Sequence, residues 1–476
     1  MSSAAPESAA VEDVIDRQMS ASGVPGVAYA VVAEGEITSL GARGVLRRGS
    51  DAPVTPDTPF VSGSISKSFT ALAVMQLVEA DDIDLDAEVS RYLSDFSDRP
   101  AGAVTIRQLL SHTSGFSTVQ GNTSRVRATG GADDLARQVD TLTEETPAYE
   151  AGERWEYSNT NYQILGRVIE VVSGQEYQRY VAANILEPVG MDHSFVADGQ
   201  VHVSMATGHR PWFGTKRPLP ENTTDRVTAP QGGIVASATD LGSYLQMMMN
   251  GQDDVLSAQG KAQMMRPAGL ASPFYGLGWF IDPANETVWH SGSTPGVETL
   301  ATMVPTENKA VVVLVNGGSG LGFGESAPLL DVITTTALGL DDDAHGSQVW
   351  QKAFFVSLVA LPAVYLLSMV WAWRHRGAIR AKSTAGISGR FSLWFPLLTT
   401  LLAAWAIFAL VPTVGGAPIR TILLFSPDFG AALIATAVTG VAWAAFRLAV
   451  AYTGDQRPSR RHLPDEASPI ASRDRW

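Results

Sequence analysis

The sequence predicts an α/β (α+β) chain in which an antiparallel sheet is flanked by helices, a helical region is inserted between its strands, and three transmembrane helices follow. Three observations carry this. Strand-like runs gather at both ends of the first 340 residues, the stretch between them is patterned mainly for helices, and the remainder holds three long uncharged segments. At 476 residues the chain is long enough for two or three domains with a large core. It contains no cysteine, so neither a disulfide framework nor a thiolate site is available. A formal net charge of −14 argues against general nucleic-acid binding, which needs a basic face. No metal-ligand histidine spacing, Walker-type phosphate loop or Gly-x-Ser-x-Gly elbow occurs, so no metal and no cofactor is expected.

Residues 1–9 are small and polar and read as a disordered lead-in. Val11, Val14, Ile15 and Met19 fall at helical spacing, and Gly23-Val24-Pro25-Gly26 stops that helix. Val27 to Ala33 and Ile37 to Ala42, divided by Glu34-Gly35-Glu36, read as a β-hairpin. From Ser64 to about residue 230 the pattern is mainly helical, punctuated by Ser173-Gly174 and Val189-Gly190. Strand-like runs return at Gly278 to Asp282, Thr287 to His290, Thr299 to Val304 and Ala310 to Val315. A sheet built from both ends of this region, with helices inserted, would place a cleft between the two parts.

The chemistry concentrates at Ser62-Gly63-Ser64-Ile65-Ser66-Lys67, followed by an apolar helical run. On a helix Ser64 and Lys67 share one face, which suits a nucleophile and the base that takes its proton. A lysine serves as base only when burial or neighbouring positive charge lowers its pKa. The helix start adds partial positive charge and free N–H groups near Ser64. Two further motifs follow in order: Tyr157-Ser158-Asn159, and His290-Ser291-Gly292 ahead of Ser293.

These motifs resemble the serine β-lactamase and DD-peptidase superfamily, especially its class C-like and esterase-like branch. Leu109-Leu110-Ser111-His112-Thr113-Ser114-Gly115, Gln231-Gly232-Gly233-Ile234 and Tyr275-Gly276-Leu277-Gly278-Trp279 extend the resemblance over residues 10 to 335. It implies a β-lactamase-like fold and a serine hydrolase acting through an acyl-enzyme. Ser64 would be the nucleophile, Lys67 its base, and Tyr157 a proton relay, as phenol or as phenolate if positive charge lowers its pKa. Asn159 would hold Lys67 or a substrate carbonyl. The backbone N–H groups of Ser64 and Ser293 would bind the oxyanion. His290, with Ser291 and Gly292, would contact substrate or support Tyr157, while His112 reads as structural.

Beyond the linker the composition changes. Ala353 to Trp373, Phe391 to Ile419 and Phe429 to Tyr452 are apolar runs, interrupted only near the end of the third by Arg447. Each is long enough, at about 1.5 Å per residue, to cross a bilayer core of about 30 Å. The expected division is a lead-in at 1–9, a β-lactamase-like hydrolase domain at 10–340, a linker at 341–352, a three-helix membrane domain at 353–452 and a tail at 453–476. Arg374, Arg376, Arg380, Lys382 and Arg390 crowd the first loop, and Arg457, Arg460, Arg461, Arg473 and Arg475 the tail, whereas the second loop has only Arg420. The positive-inside rule makes the first loop and tail cytoplasmic and puts the hydrolase outside, in the inner membrane of a bacterium. That topology needs an export signal. Residues 1–9 lack the basic start and apolar core of one, so a native signal is expected to be missing from this sequence.

A hydrolase of this superfamily followed by three spans resembles the periplasmic prodrug-activating peptidases typified by the colibactin-maturing peptidase. The resemblance implies an acylated peptide substrate, from which an N-acyl-D-amino acid cap such as acyl-D-asparagine is removed, with the lipid bilayer as the other partner. A cell-wall DD-carboxypeptidase, a β-lactamase, an esterase and a slowly deacylating sensor are the alternatives. Oligomeric state is not legible.

Overall fold

The computed structural model describes residues 4–123, 129–341 and 348–453. Residues 1–3, most of the expected linker and the tail from 454 lie outside the described residues. The chain forms two compact units: residues 1–359 with 405–435, and residues 360–404 with 436–476.

The first unit is built on an antiparallel sheet of six strands among the described residues. β1 (Gly26–Ala33) and β2 (Glu36–Gly44) form the N-terminal hairpin. Three short strands, β3 (Phe60–Val61), β4 (Phe195–Val196) and β7 (Ile234–Ala236), make a separate small sheet, and β5 (His209–Trp212) and β6 (Thr215–Pro218) a hairpin. β8 (Phe280–Asp282), β9 (Thr287–Thr294), β10 (Val297–Val304) and β11 (Lys309–Val315) complete the main sheet. Its order is β2-β1-β11-β10-β9-β8, so the two ends of the domain meet at β1 and β11, with Val27 opposite Val315.

The continuous apolar runs of β1 and β11 follow from burial on both faces. Val27, Tyr29 and Val31 of β1, with Val311, Val313 and Val315 of β11, pack against Val11 and Ile15 of the helix Ala4–Ser22 and Ile333 of the helix Ala327–Leu338. The alternate residues Ala28, Ala30, Val32, Val312 and Leu314 face the larger core, which contains the helices Ser66–Glu79 and Ala238–Met249. Small side chains on that face admit a close helix. A Cβ added to Gly242 would lie 3.1 Å from the Ala30 Cβ.

One expectation is corrected and one refined. The first helix begins at Ala4, inside the stretch read as a disordered lead-in. Pro6 is tolerated there because N–H groups of a first turn have no helical partner. The region after Ser64 read as mainly helical also contains β4, β5 and β6. The β5–β6 strands are four residues each and carry charges and prolines, which hides any alternating pattern. Their turn is made by Phe213 (φ 46°) and Gly214 (φ 80°), both in the left-handed conformation that a tight hairpin requires.

Three helices are long and apolar enough to cross a membrane: Val349–Arg374, Gly386–Val414 and Pro427–Tyr452. Most of their large side chains, such as Trp371, Leu398 and Leu402, are exposed, as lipid-facing residues would be. Within the second unit Gly440 lets Tyr365 and Thr400 approach closely, and the Tyr365 and Trp443 rings lie 5.4 Å apart. The uncharged run read as continuing to Ile419 breaks at Gly415–Gly416, and a separate helix, Ile419–Phe425, follows in the first unit.

Candidate active site

Ser64 stands in a single 3-10 turn, Gly63–Ile65, that feeds into the helix Ser66–Glu79. Gly63 adopts φ +57°, and a Cβ there would lie 2.7 Å from the backbone nitrogen of Ser293. On the facing strand a Cβ at Gly292 would come within 2.0 Å of the Ser62 carbonyl oxygen. Only glycine at both positions lets the turn press against β9, which brings the Ser293 N–H beside Ser64. The turn is pinned from both sides. Ser62 donates from both N and Oγ to the Ile234 carbonyl (2.8 Å each), Ile234 N donates to Ser66 Oγ (2.9 Å), and Thr299 Oγ1 donates to the Ser62 carbonyl (2.7 Å).

Lys67 is fully buried. Its Nζ donates to Asn159 Oδ1 and to the Gln231 carbonyl, both at 2.8 Å, and stands 3.2 Å from Ser64 Oγ. Burial drives its pKa well below that of an ordinary lysine. The two 2.8 Å partners are acceptors and use both protons of a neutral amine, so its remaining lone pair is available to Ser64. Asn159 is fixed in turn, its Nδ2 donating 2.9 Å to Asn122 Oδ1.

The Tyr157 ring lies over Lys67, with Nζ 4.8 Å from its centroid. Burial raises the Tyr157 pKa above its usual value, and a hydrogen bond with Ser64 offsets this only in part. Burial thus favours the neutral form of both groups, amine and phenol.

His112 and His290 lie behind Tyr157. Both are buried and held neutral, His290 with a pKa lowered to about 3. Desolvation by burial is the main cause in each. His112 Nδ1 accepts from Ser158 N and from Asn161 Nδ2, each at 3.1 Å, and its ring packs 4.4 Å from that of Tyr157. His112 thus fixes the backbone that presents Tyr157. His290 donates from Nδ1 to the Ser291 carbonyl (2.7 Å), and its Nε2 accepts from Tyr275 Oη (3.2 Å). His290 is thus buried with both ring nitrogens engaged by neighbouring groups. Strand alternation on β9 turns His290 and Gly292 inward while Ser291 and Ser293 are exposed. Its ring centroid lies 6.2 Å from that of Tyr157, the position of a supporting residue.

A cavity of about 370 Å³ opens at Ser64, with Asn122, Asn159 and Ser293 on one part of its wall and Leu219, Leu424 and Phe425 on another. Among the described residues no cluster of His, Asp or Glu suits a metal ion. Buried Ser62, Ser66 and Thr299, and the partly exposed Asn122, were not singled out from sequence. The signal lay in part in the serines flanking Ser64, whereas Asn122 and Thr299 carry no local pattern.

The fold and this cluster define a serine hydrolase with a Ser-x-x-Lys site. The β-lactamase family model matches residues 11–335, and the chain belongs to that family. It is 33% identical over 325 residues to penicillin-binding protein 4 of Amycolatopsis lactamdurans, covering 63% of this chain and 83% of that protein. It is 24% identical over 418 residues to protein flp of Staphylococcus aureus, covering 84% and 81%, a match that runs beyond the hydrolase domain. Among solved structures it is similar to SurE with D-Leu, with a TM-score of 0.56 and 25% identity over 71% of this chain and 76% of that one.

Proposed function

We propose that this serine hydrolase is a membrane-anchored peptidase that removes an N-acyl-D-amino acid cap, such as acyl-D-asparagine, from a peptide through an acyl-enzyme on Ser64. The observation that carries the mechanism is the buried Lys67 amine 3.2 Å from Ser64 Oγ. Ser64 attacks the scissile carbonyl as its proton passes to Lys67. The oxyanion is held by the Ser64 and Ser293 N–H groups, an arrangement generally worth about 2.7–4 kcal/mol per donor. The Tyr157 phenol passes a proton to the leaving amine and regains one from Lys67. Water then attacks the ester by the reverse route, with Lys67 again as base.

The D-configured residue is supported by the SurE structure, whose ligand is D-Leu. The cap-removing role is supported by the succession of hydrolase and three candidate spans. An extracytoplasmic hydrolase fits the basic residues of the first loop. It also fits the hydrogen bonds that join residues 416–428 to the hydrolase domain, because segments in contact share one side of a bilayer.

The test is incubation of detergent-purified protein with matched N-acyl-D- and N-acyl-L-asparaginyl amides, following product and intact protein mass beside Ser64→Ala. Repeated release of the D-acyl acid alone is expected. A protein that cleaves neither amide but is acylated by a β-lactam would move the reading to the penicillin-binding class that the Amycolatopsis relative is named for.

A further inference from the structure

We propose that residues 416–428, which join the second and third candidate spans, form the wall of the active-site cavity that receives an apolar chain of the substrate, with Leu424 and Phe425 as the contact residues. The inference rests on the reading that Ser64 is acylated in this cavity. Thr421, Leu424 and Phe425 line the same space as Ser64 and Ser293. The segment is fastened at both ends rather than lying loosely nearby. At one end Asn122 Nδ2 donates 2.7 Å to the Gly416 carbonyl, and Thr421 Oγ1 donates 3.1 Å to the Asn122 carbonyl. Gly416, at φ +65°, passes so close to Thr118 that a Cβ would lie 2.8 Å from the Thr118 methyl. At the other end Phe213 N donates 2.9 Å to Asp428 Oδ2, and Arg210 Nη1 donates 3.2 Å to the Leu424 carbonyl.

The first anchor reaches the chemistry. With Asn122 Nδ2 committed to Gly416, its Oδ1 faces Asn159 Nδ2, and Asn159 Oδ1 is left to accept from Lys67. The chemistry of the wall identifies what it receives. Leu424 is 47% exposed, and with Phe425 it lines the cavity together with Val61, Met205, Leu219 and Val297, while Glu221 and Asp225 also belong to the lining and would repel a carboxylate. An apolar surface of this kind gains from burying an aliphatic chain and offers nothing to a charged one. Because the segment links two helices of membrane-spanning length, it lies where an acyl chain leaving a bilayer would arrive.

The test uses full-length protein in detergent with 4-nitrophenyl acetate and 4-nitrophenyl octanoate. Hydrolysis breaks the acyl–oxygen bond, consumes one water and releases 4-nitrophenol and the carboxylic acid. In Phe425→Ala, which removes the wall, and Leu424→Trp, which fills the space, the octanoate-to-acetate ratio of kcat/KM should fall by about tenfold, the effect of roughly two methylenes left unburied. The loss should appear mainly in KM for octanoate. An unchanged ratio in both variants, each still hydrolysing acetate, overturns the wall. A Ser64→Ala protein that turns over both esters at the original rate instead overturns the site reading beneath it.

Discussion

In the proposed mechanism Lys67 is the residue on which the chemistry turns, because an amine in this position is a base only while neutral. Removing it from water favours the uncharged form, and among the described residues its surroundings supply acceptors but no carboxylate to restore the charge. The sign of the pH dependence follows. The competent neutral amine predominates above the folded-state pKa and is lost as pH falls through it, so kcat/KM should decline on the acid side. The decline should be centred well below 10.5, the ordinary lysine value. A profile of kcat/KM against pH checks this, and an acid limb centred near the ordinary lysine value would refute burial as the activating device. Lys67→Arg should lose several orders of magnitude at every pH, since a guanidinium stays protonated.

At the scale of elements, the site depends on how tightly the nucleophile turn meets β9. The Ser62 carbonyl accepts from Thr299 and sits where a Gly292 side chain would go. The obstacle is backbone, which cannot swing aside as a flexible side chain can. Gly292→Ala should therefore slow acylation of Ser64 by about tenfold or more while the circular dichroism spectrum is kept, because the turn and the Ser293 N–H must separate. Gly269→Ala, where a Cβ meets nothing within 4 Å, should match the parent in acylation rate by intact mass. Equal rates for both variants would show that the close approach is dispensable.

At the scale of the whole molecule, the proposed topology puts the hydrolase domain and the segment 416–428 on one side of a bilayer and the basic loop 374–390 on the other. The absence of native cysteine makes this measurable with single substitutions. In spheroplasts a membrane-impermeant maleimide should label Asn285→Cys, on an exposed turn of the hydrolase domain, and should label Thr384→Cys only after lysis. The opposite pattern would invert the topology.

The sequence by itself determined the fold class and brought out Ser64, Lys67, Tyr157 and Asn159, because those features are local. A strand run buried on both faces, a helix carrying Ser and Lys one turn apart, and helices of membrane-crossing length are all written in short-range spacing. Only the tertiary structure decided what surrounds them. Strand alternation buried His290 on the face of β9 that meets the Ser64 turn, behind Tyr157. His112 became the anchor of the Tyr157 backbone through bonds to residues 46 and 49 positions away. Asn122 met Gly416 across 294 positions of chain. Such partners leave no periodic trace in a sequence, since a hydrogen bond needs only two groups to arrive at the same place, and the packing of the whole unit decides which groups do.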